Sequence, residues 1–316
     1  ANWTERSNGL IPFSSINSLA AKGTDIFAGT RDNGVFLLTN NGTLWVQVNN
    51  GLSNRDVQTL AVSQADLFAG TRGGLFSSAN NGTSWFYRNN GLNNQIISSF
   101  AVLGTKIFAG SFSGLFFTTD NGANWSVTNN GLRGIFINAL AVSGASIIAS
   151  TFDSLVYRST NNGTSWVPAS SGFSSSSDFI TSFAVSGTNL FAASEVFGIY
   201  LSTNNGANWN SVNTGLHALT LAASGTNLFA GTGNGVSLST NNGTNWTAVN
   251  NGLPASREVR SLAVSGSALF VSLANSGVFI SLNNGTNWSA LNNGLTSLNV
   301  NTFAVSGASV FAGTND

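Results

Sequence analysis

The chain has no cysteine and no methionine, one histidine and three prolines in 316 residues. The missing thiols exclude disulfides and thiolate-held metal. The lone His217 has no second histidine with which to build an imidazole metal site. Methionine is missing even at position 1, which reads as a processed or trimmed chain. Charge is scarce too, at 7% of residues against about 25% in an average globular protein. Eleven basic and eleven acidic residues cancel. That leaves neither the basic face of a nucleic-acid binder nor the cationic stripe of a membrane-surface binder. No signal peptide remains visible, and no apolar run is long enough to span a bilayer. The surface must be wetted by Asn, Ser, Thr and Gly, a composition that suits a secreted or cell-surface protein.

What the chain does have is a beat. Its eight tryptophans, Trp3, Trp45, Trp85, Trp125, Trp166, Trp209, Trp246 and Trp288, recur about every 40 residues. A period of that length running end to end predicts an array of one supersecondary unit sharing a continuous core. The whole chain, 1–316, is therefore expected to be a single domain.

The stretch 57–91 shows the unit. Val57–Ser63 reads as a first strand, Asp66–Thr71 as a second, Gly74–Ser78 as a third and 85–88 as a fourth. Each is short and rich in β-branched or aromatic residues, and Gly- or Asn-rich turns bound it. None shows helical spacing. Four such strands with tight turns use about 40 residues, and the fold class predicted is all-β, a β-propeller of four-stranded blades. The second strand is apolar throughout, as in Leu67-Phe68-Ala69 and Leu228-Phe229-Ala230, the pattern of a strand buried on both faces. Burying one such phenylalanine contributes roughly 2–3 kcal/mol.

Seven full units leave a fourth strand near Trp3 at one end and a first and second strand over Leu295 to Thr314 at the other. The expectation is eight blades, the last shared by both termini and short of its third strand. Seven blades is the alternative, and it would leave surplus strands with exposed edges. The absent strand also suggests a piece of something longer.

Each of the last seven tryptophans ends a near-copy of one phrase, such as Ser202-Thr203-Asn204-Asn205-Gly206-Ala207-Asn208-Trp209. The first position is Ser78, Thr118, Ser159, Ser202, Ser239 or Ser281, with Leu38 departing. The third is Asn40, Asn80, Asn161, Asn204, Asn241 or Asn283, and Asp120 in one copy. The glycines are Gly42, Gly82, Gly122, Gly163, Gly206, Gly243 and Gly285. The phrase resembles the Asp-box, or BNR, repeat of a β-propeller family, Ser/Thr-x-Asp-x-Gly-x-x-Trp, and the chain looks like a non-catalytic secreted bacterial type. The family places these turns between third and fourth strands, away from the usual active face. Physically, a short acceptor side chain holds a tight turn, and the glycine takes a positive φ. A structural role is expected. Asn41-Gly42-Thr43 and Asn242-Gly243-Thr244 also read as N-glycosylation sequons, but the repeat accounts for them without sugar. With nearly all acids gone from the phrase, no metal is expected there, and nothing calls for a cofactor.

Asp-box propellers include sialidases and other glycoside hydrolases, which bind a substrate carboxylate with arginines and use a tyrosine nucleophile helped by glutamate. Here Tyr157 and Tyr200 fall on third strands and Tyr87 on a fourth. None has Glu5, Glu195 or Glu258 beside it. Asp56, Asp178 and Glu258 lie just before the first strands of different blades and are the candidate carboxylates for a hydrolase.

Function in a repeat protein is best sought where copies differ. Two loop families should share one face, those leading into first strands and those joining second to third strands. The first holds Arg55, Asp56, Arg133, Phe136, Asp178, His217, Arg257 and Glu258; the second holds Arg31, Asp32, Arg72, Phe112, Phe152, Asp153, Glu195 and Phe197. From these we take Arg31, Arg55, Arg72, Phe112, Arg133, Phe136, Phe152, His217, Arg257 and Glu258 as a candidate recognition surface for a glycan or protein partner. The function expected is a non-catalytic extracellular binding or scaffold propeller, presenting its loop face to a partner or serving as a module of a larger surface assembly. A glycoside hydrolase and a photosystem-type assembly factor are the alternatives. The Ser-rich run 170–177 reads as a longer loop, and Arg88 and Arg158 as solvent-facing strand residues.

Overall fold

The computed structural model describes residues 8–314, apart from 12–13, 40–41, 64–65, 93–94, 134–135, 153–154, 174–178, 195, 214, 296 and 308. Trp3 and Asn40 thus lie outside the described residues, as do Glu5, Asp153, Asp178 and Glu195.

The first sheet is a meander of Ile16–Lys22, Asp25–Thr30, Val35–Leu38 and Val46–Gln47, each strand antiparallel to the next. Six more sheets repeat this order over 57–87, 97–127, 137–168, 180–213, 218–248 and 259–290. An eighth pairs Val300–Ser306 with Ser309–Thr314. Seven sheets are four-stranded, so the blade count among the described residues is that of the alternative, seven, and not the eight expected. The eighth sheet has only two strands among the described residues. The fourth strand expected at Trp3 falls outside the described residues.

The chain gathers into two compact units, residues 1–97, 120–124 and 251–316 in one, 98–119 and 125–250 in the other. In the first unit the core forms between successive sheets: Phe27 of the first packs with Leu60, Leu67, Phe76 and Trp85 of the second. In the second unit Phe108 packs in the same way on Ile147, Tyr157 and Trp166. The second strands are buried along almost their whole length, as in Asp25–Thr30 and Asn227–Thr232, because a sheet covers each of their faces. Only Ser309–Thr314 is mostly half-buried.

The two-stranded sheet joins the first sheet by bonds used elsewhere. Asn301 Nδ2 donates to Ile16 O at 3.4 Å, as Asn17 Nδ2 does to Val57 O at 2.9 Å and Asn138 Nδ2 to Ile180 O at 2.6 Å. Phe311 packs beside Phe36, Leu38 and Trp45, the position of Phe27 against the second sheet.

The phrase before each tryptophan folds as one turn. Ser78 Oγ accepts from Gly82 N at 2.8 Å and donates to Asn80 Oδ1 at 2.9 Å, and Asn80 Oδ1 accepts from Ser84 N at 2.9 Å. The copies at Ser159, Ser202, Ser239 and Ser281 repeat the pattern through Asn161, Asn204, Asn241 and Asn283. Asp120 does the same for Asn124 N at 2.9 Å. In six of these turns two residues have positive φ, not the glycine alone: Asn81 at 55° precedes Gly82 at 80°. Asparagine tolerates that region better than most residues. This second asparagine also reaches the preceding sheet: Lys22 Nζ donates to Asn81 Oδ1 at 2.6 Å, and Asn81 Nδ2 to Asp25 Oδ2 at 3.1 Å.

The tryptophan main chain adds another joint. Trp85 N donates to Asn50 O, Trp166 N to Asn130 O and Trp288 N to Asn251 O, each at 2.8 Å. Gly51 lies so close under this joint that a Cβ there would sit 2.2 Å from Trp85 O.

Candidate functional site

The two loop families do meet. The second-to-third turn donates to the segment before the first strand of the same sheet: Arg31 N to Ser15 O at 3.0 Å, Arg72 N to Asp56 O at 3.1 Å, Phe152 N to Phe136 O at 2.9 Å and Ala274 N to Glu258 O at 2.8 Å. The pairing of first and second strands also carries an irregularity at its loop end, as between Ile16 and Ser18 and between Ile137 and Ala139. A bulge there bends the strand and re-aims the loop residues beside it.

The proposed site residues sort by unit. Arg31, Arg55, Arg72, Arg257 and Glu258 belong to the first unit, and Phe112, Arg133, Phe136, Phe152 and His217 to the second. In the first, Arg31 and Arg55 are exposed, and Arg55 O accepts from Gly34 N at 3.0 Å. Arg72 Nε lies 3.0 Å from Asp56 Oδ2, and Gln58 Nε2 also donates to the Asp56 carboxylate. Glu258 faces Arg260 at 3.5 Å, and Arg257 Nη1 reaches Pro254 O at 3.4 Å. Two guanidiniums here, those of Arg72 and Arg260, thus face a carboxylate.

In the second unit the loop face is aromatic. Phe112 and Phe136 stack with centroids 4.3 Å apart and planes 22° apart. Phe136 meets Phe152 at 5.2 Å, and Phe152 meets Phe179 edge-on at 5.4 Å. Phe112 is 46% and Phe152 62% exposed. Such pairs add about 0.5–1.5 kcal/mol beyond their burial, enough to hold the rings as one row. Phe179 is the member that sequence reasoning missed. Its signal was present: Phe136-Ile137 and Phe179-Ile180 place phenylalanine at the same repeat position, directly before a first strand. Arg133 flanks the row; it is exposed, and its main-chain N–H donates to Tyr157 Oη at 3.1 Å. His217 is exposed immediately before Ala218–Ser224.

Tyr157 and Tyr200 are fully buried in third strands. Tyr87 is exposed on a fourth strand and donates to Gly73 O at 3.3 Å. Among the described residues, no three His, Asp or Glu side chains come together as a metal site. Arg158 does not simply face solvent. It is half-buried and its Nε donates to Ser146 Oγ at 3.2 Å and to Asn205 O at 2.8 Å in the next sheet. Phe173, in the Ser-rich run, packs its ring on Tyr200 at 4.5 Å.

A residue type read only as turn-former proves to close five of the sheets. The asparagine after the fourth strand accepts from the first apolar N–H of the third: Asn49 Oδ1 from Val35 N at 2.7 Å, Asn89 Oδ1 from Leu75 N at 2.9 Å and Asn129 Oδ1 from Leu115 N at 2.8 Å. A Cβ on Gly74, at φ 115°, would sit 2.1 Å from Asn89 Nδ2, so glycine is needed beside it.

No family model and no curated protein matches the chain. Solved structures do. The computationally designed Ika8 protein superposes with a TM-score of 0.76 at 12% identity, over 98% of this chain and 96% of that one. Sqt1 of Saccharomyces cerevisiae gives 0.70 at 12% identity, over 96% and 94%. YCF48 of Cyanidioschyzon merolae gives 0.60 at 15% identity, over 81% and 92%. At these identities the likeness is one of fold, and that fold is an all-β propeller of four-stranded antiparallel blades.

Proposed function

We propose that the chain is a non-catalytic binding propeller that presents its loop face to a protein partner, secreted or at a cell surface. The observation that carries this reading is the row Phe112–Phe136–Phe152–Phe179, with two of its rings about half exposed or more. Clustered aromatic side chains are the usual energetic centre of a protein interface. The stacking of Phe112 on Phe136 takes up one face of each ring and leaves a sugar fewer faces on which to lie. Their edges stay open to apolar side chains and carbonyl groups. A protein partner is therefore favoured over a glycan.

Two further points support a scaffold over a hydrolase. The phenols of Tyr157 and Tyr200 are enclosed in the sheets, and Asp56 and Glu258 each face an arginine. We also read the Ser-x-Asn-Asn-Gly turns as Asp-box-type corners. We count the Val300–Thr314 hairpin as part of an eighth blade, because Asn301 and Phe311 repeat the joints of the other sheets. A propeller of similar fold, YCF48, is known bound to a D1 peptide; that partner belongs to YCF48.

The test is affinity capture with purified chain from the secreted and surface fractions of its source. Capture of a partner that is lost with Phe112→Ser and Phe152→Ser together, but kept with Arg72→Ala, supports the reading. Binding to a glycan array, hydrolysis of chromogenic glycosides, or capture indifferent to the phenylalanines would overturn it.

A further inference from the structure

Asn-Gly pairs occur at two places in five of the seven repeats, the other two having Ser171-Gly172 and Thr214-Gly215 at the second place, and the turns at 50–51 and 130–131 differ from those before the tryptophans. In the turn before the tryptophan, Gly82 is buried and its N–H donates to Ser78 Oγ at 2.8 Å; Gly163 is buried and donates to Ser159 Oγ at 2.9 Å. The preceding Asn81 and Asn162 are fixed at φ 55° and 54°. In the turn leaving the fourth strand, Asn50 and Gly51 are both exposed, as are Asn130 and Gly131. No hydrogen bond holds the side chains of Asn50 and Asn130, or the N–H groups of Gly51 and Gly131, among the described residues.

We propose that Asn50 and Asn130 are sites of spontaneous deamidation, and that Asn81 and Asn162 are protected from it. In the exposed turns the Gly51 or Gly131 nitrogen loses its proton to base and attacks the asparagine Cγ. The new N–Cγ bond closes a succinimide and the side-chain nitrogen leaves as ammonia. Water then opens either carbonyl, giving aspartate or isoaspartate. No redox partner is needed. The same step at Asn81 or Asn162 would have to pull the glycine nitrogen out of a buried bond to serine, with the asparagine held in the left-handed region.

The sites sit on joints between sheets, since Asn50 O and Asn130 O receive the N–H of Trp85 and Trp166. Opening to isoaspartate reroutes the main chain through the side-chain carbon and turns that carbonyl into a free carboxylate. The acceptor under the tryptophan is displaced and a negative charge appears on a chain whose formal net charge is zero. Modification should therefore lower thermal stability.

The experiment is incubation of the intact chain at alkaline pH, with and without urea, followed by peptide mapping and isoaspartate labelling. The expected result is conversion at Asn50 and Asn130 in the native sample with Asn81 and Asn162 unchanged, and conversion of all four in urea. The melting temperature of the native sample should fall with the modified fraction, and a chain carrying Asn50→Ser and Asn130→Ser should lose less of it. Native conversion of Asn81 and Asn162 at the rate of Asn50 and Asn130 would overturn the proposal. So would unchanged Asn50 and Asn130 over a period in which the urea sample reacts.

Discussion

The Ser306 hydroxyl donates to the Gly23 carbonyl over 2.7 Å, across 283 positions of sequence. Ser186 makes the same 2.7 Å bond to Gly225, 39 positions away. The hairpin Val300–Thr314 thus docks on the first sheet as one sheet docks on its neighbour. Phe311 at that joint is half-buried, whereas Phe27 is 0% exposed. Phe27→Ala is expected to cost about 3–5 kcal/mol and Phe311→Ala roughly 2–3 kcal/mol. Urea unfolding midpoints of the two variants check the ranking; equal losses would mean that the hairpin is covered as completely as the other second strands.

Ser202→Ala removes the acceptor of the buried Gly206 N–H and the donor to Asn204 Oδ1. A buried donor left unsatisfied costs about 1–3 kcal/mol. Asn204→Asp keeps the acceptor, in the way that Asp120 holds Asn124 N, and should stay within about 0.5 kcal/mol of the parent. Thermal denaturation of both variants separates the acceptor's role from that of charge.

Gly74→Ala forces a Cβ against the Asn89 side chain at a backbone angle that disfavours it. Asn89→Ala frees the Leu75 N–H for about 1–3 kcal/mol. Because the two residues touch, the double variant should be less damaged than the sum of the singles, with a coupling of about 0.5–3 kcal/mol. A double-mutant cycle in urea measures it, and strict additivity would show that the clash is relieved elsewhere.

Arg72→Ala breaks an exposed ion pair, with Arg72 57% and Asp56 23% exposed. The expected loss is at most about 1 kcal/mol, shrinking as salt is added. Melting curves at low and high ionic strength give the answer; a loss that persists in high salt would point to packing of the Arg72 stem.

Most of the fold was legible because it is written many times. The strands read at 57–78 are found where the pattern placed them, since two-sided burial leaves an apolar run such as Leu67-Phe68-Ala69 no other reading. The meeting of Arg72 with Asp56, and of Phe152 with Phe136, followed from the four-stranded order. Less visible were residues with two jobs. Asn81 reads as a turn residue, yet it also bonds the preceding sheet, and Asn89 reads as a loop residue, yet it completes the third strand's hydrogen bonding. Neither bond has a local sequence signature, because each partner arrives from another strand. Arg158 was misjudged for the same reason: its partner Asn205 comes from the next sheet.

The joint between Trp85 N and Asn50 O recurs with the same atoms and the same 2.8 Å at Trp166 and Asn130. Such seams are interchangeable. Gain or loss of a whole repeat by unequal crossing-over would leave each remaining seam chemically complete, whereas a break inside a repeat would strand a tryptophan main-chain N–H without its carbonyl.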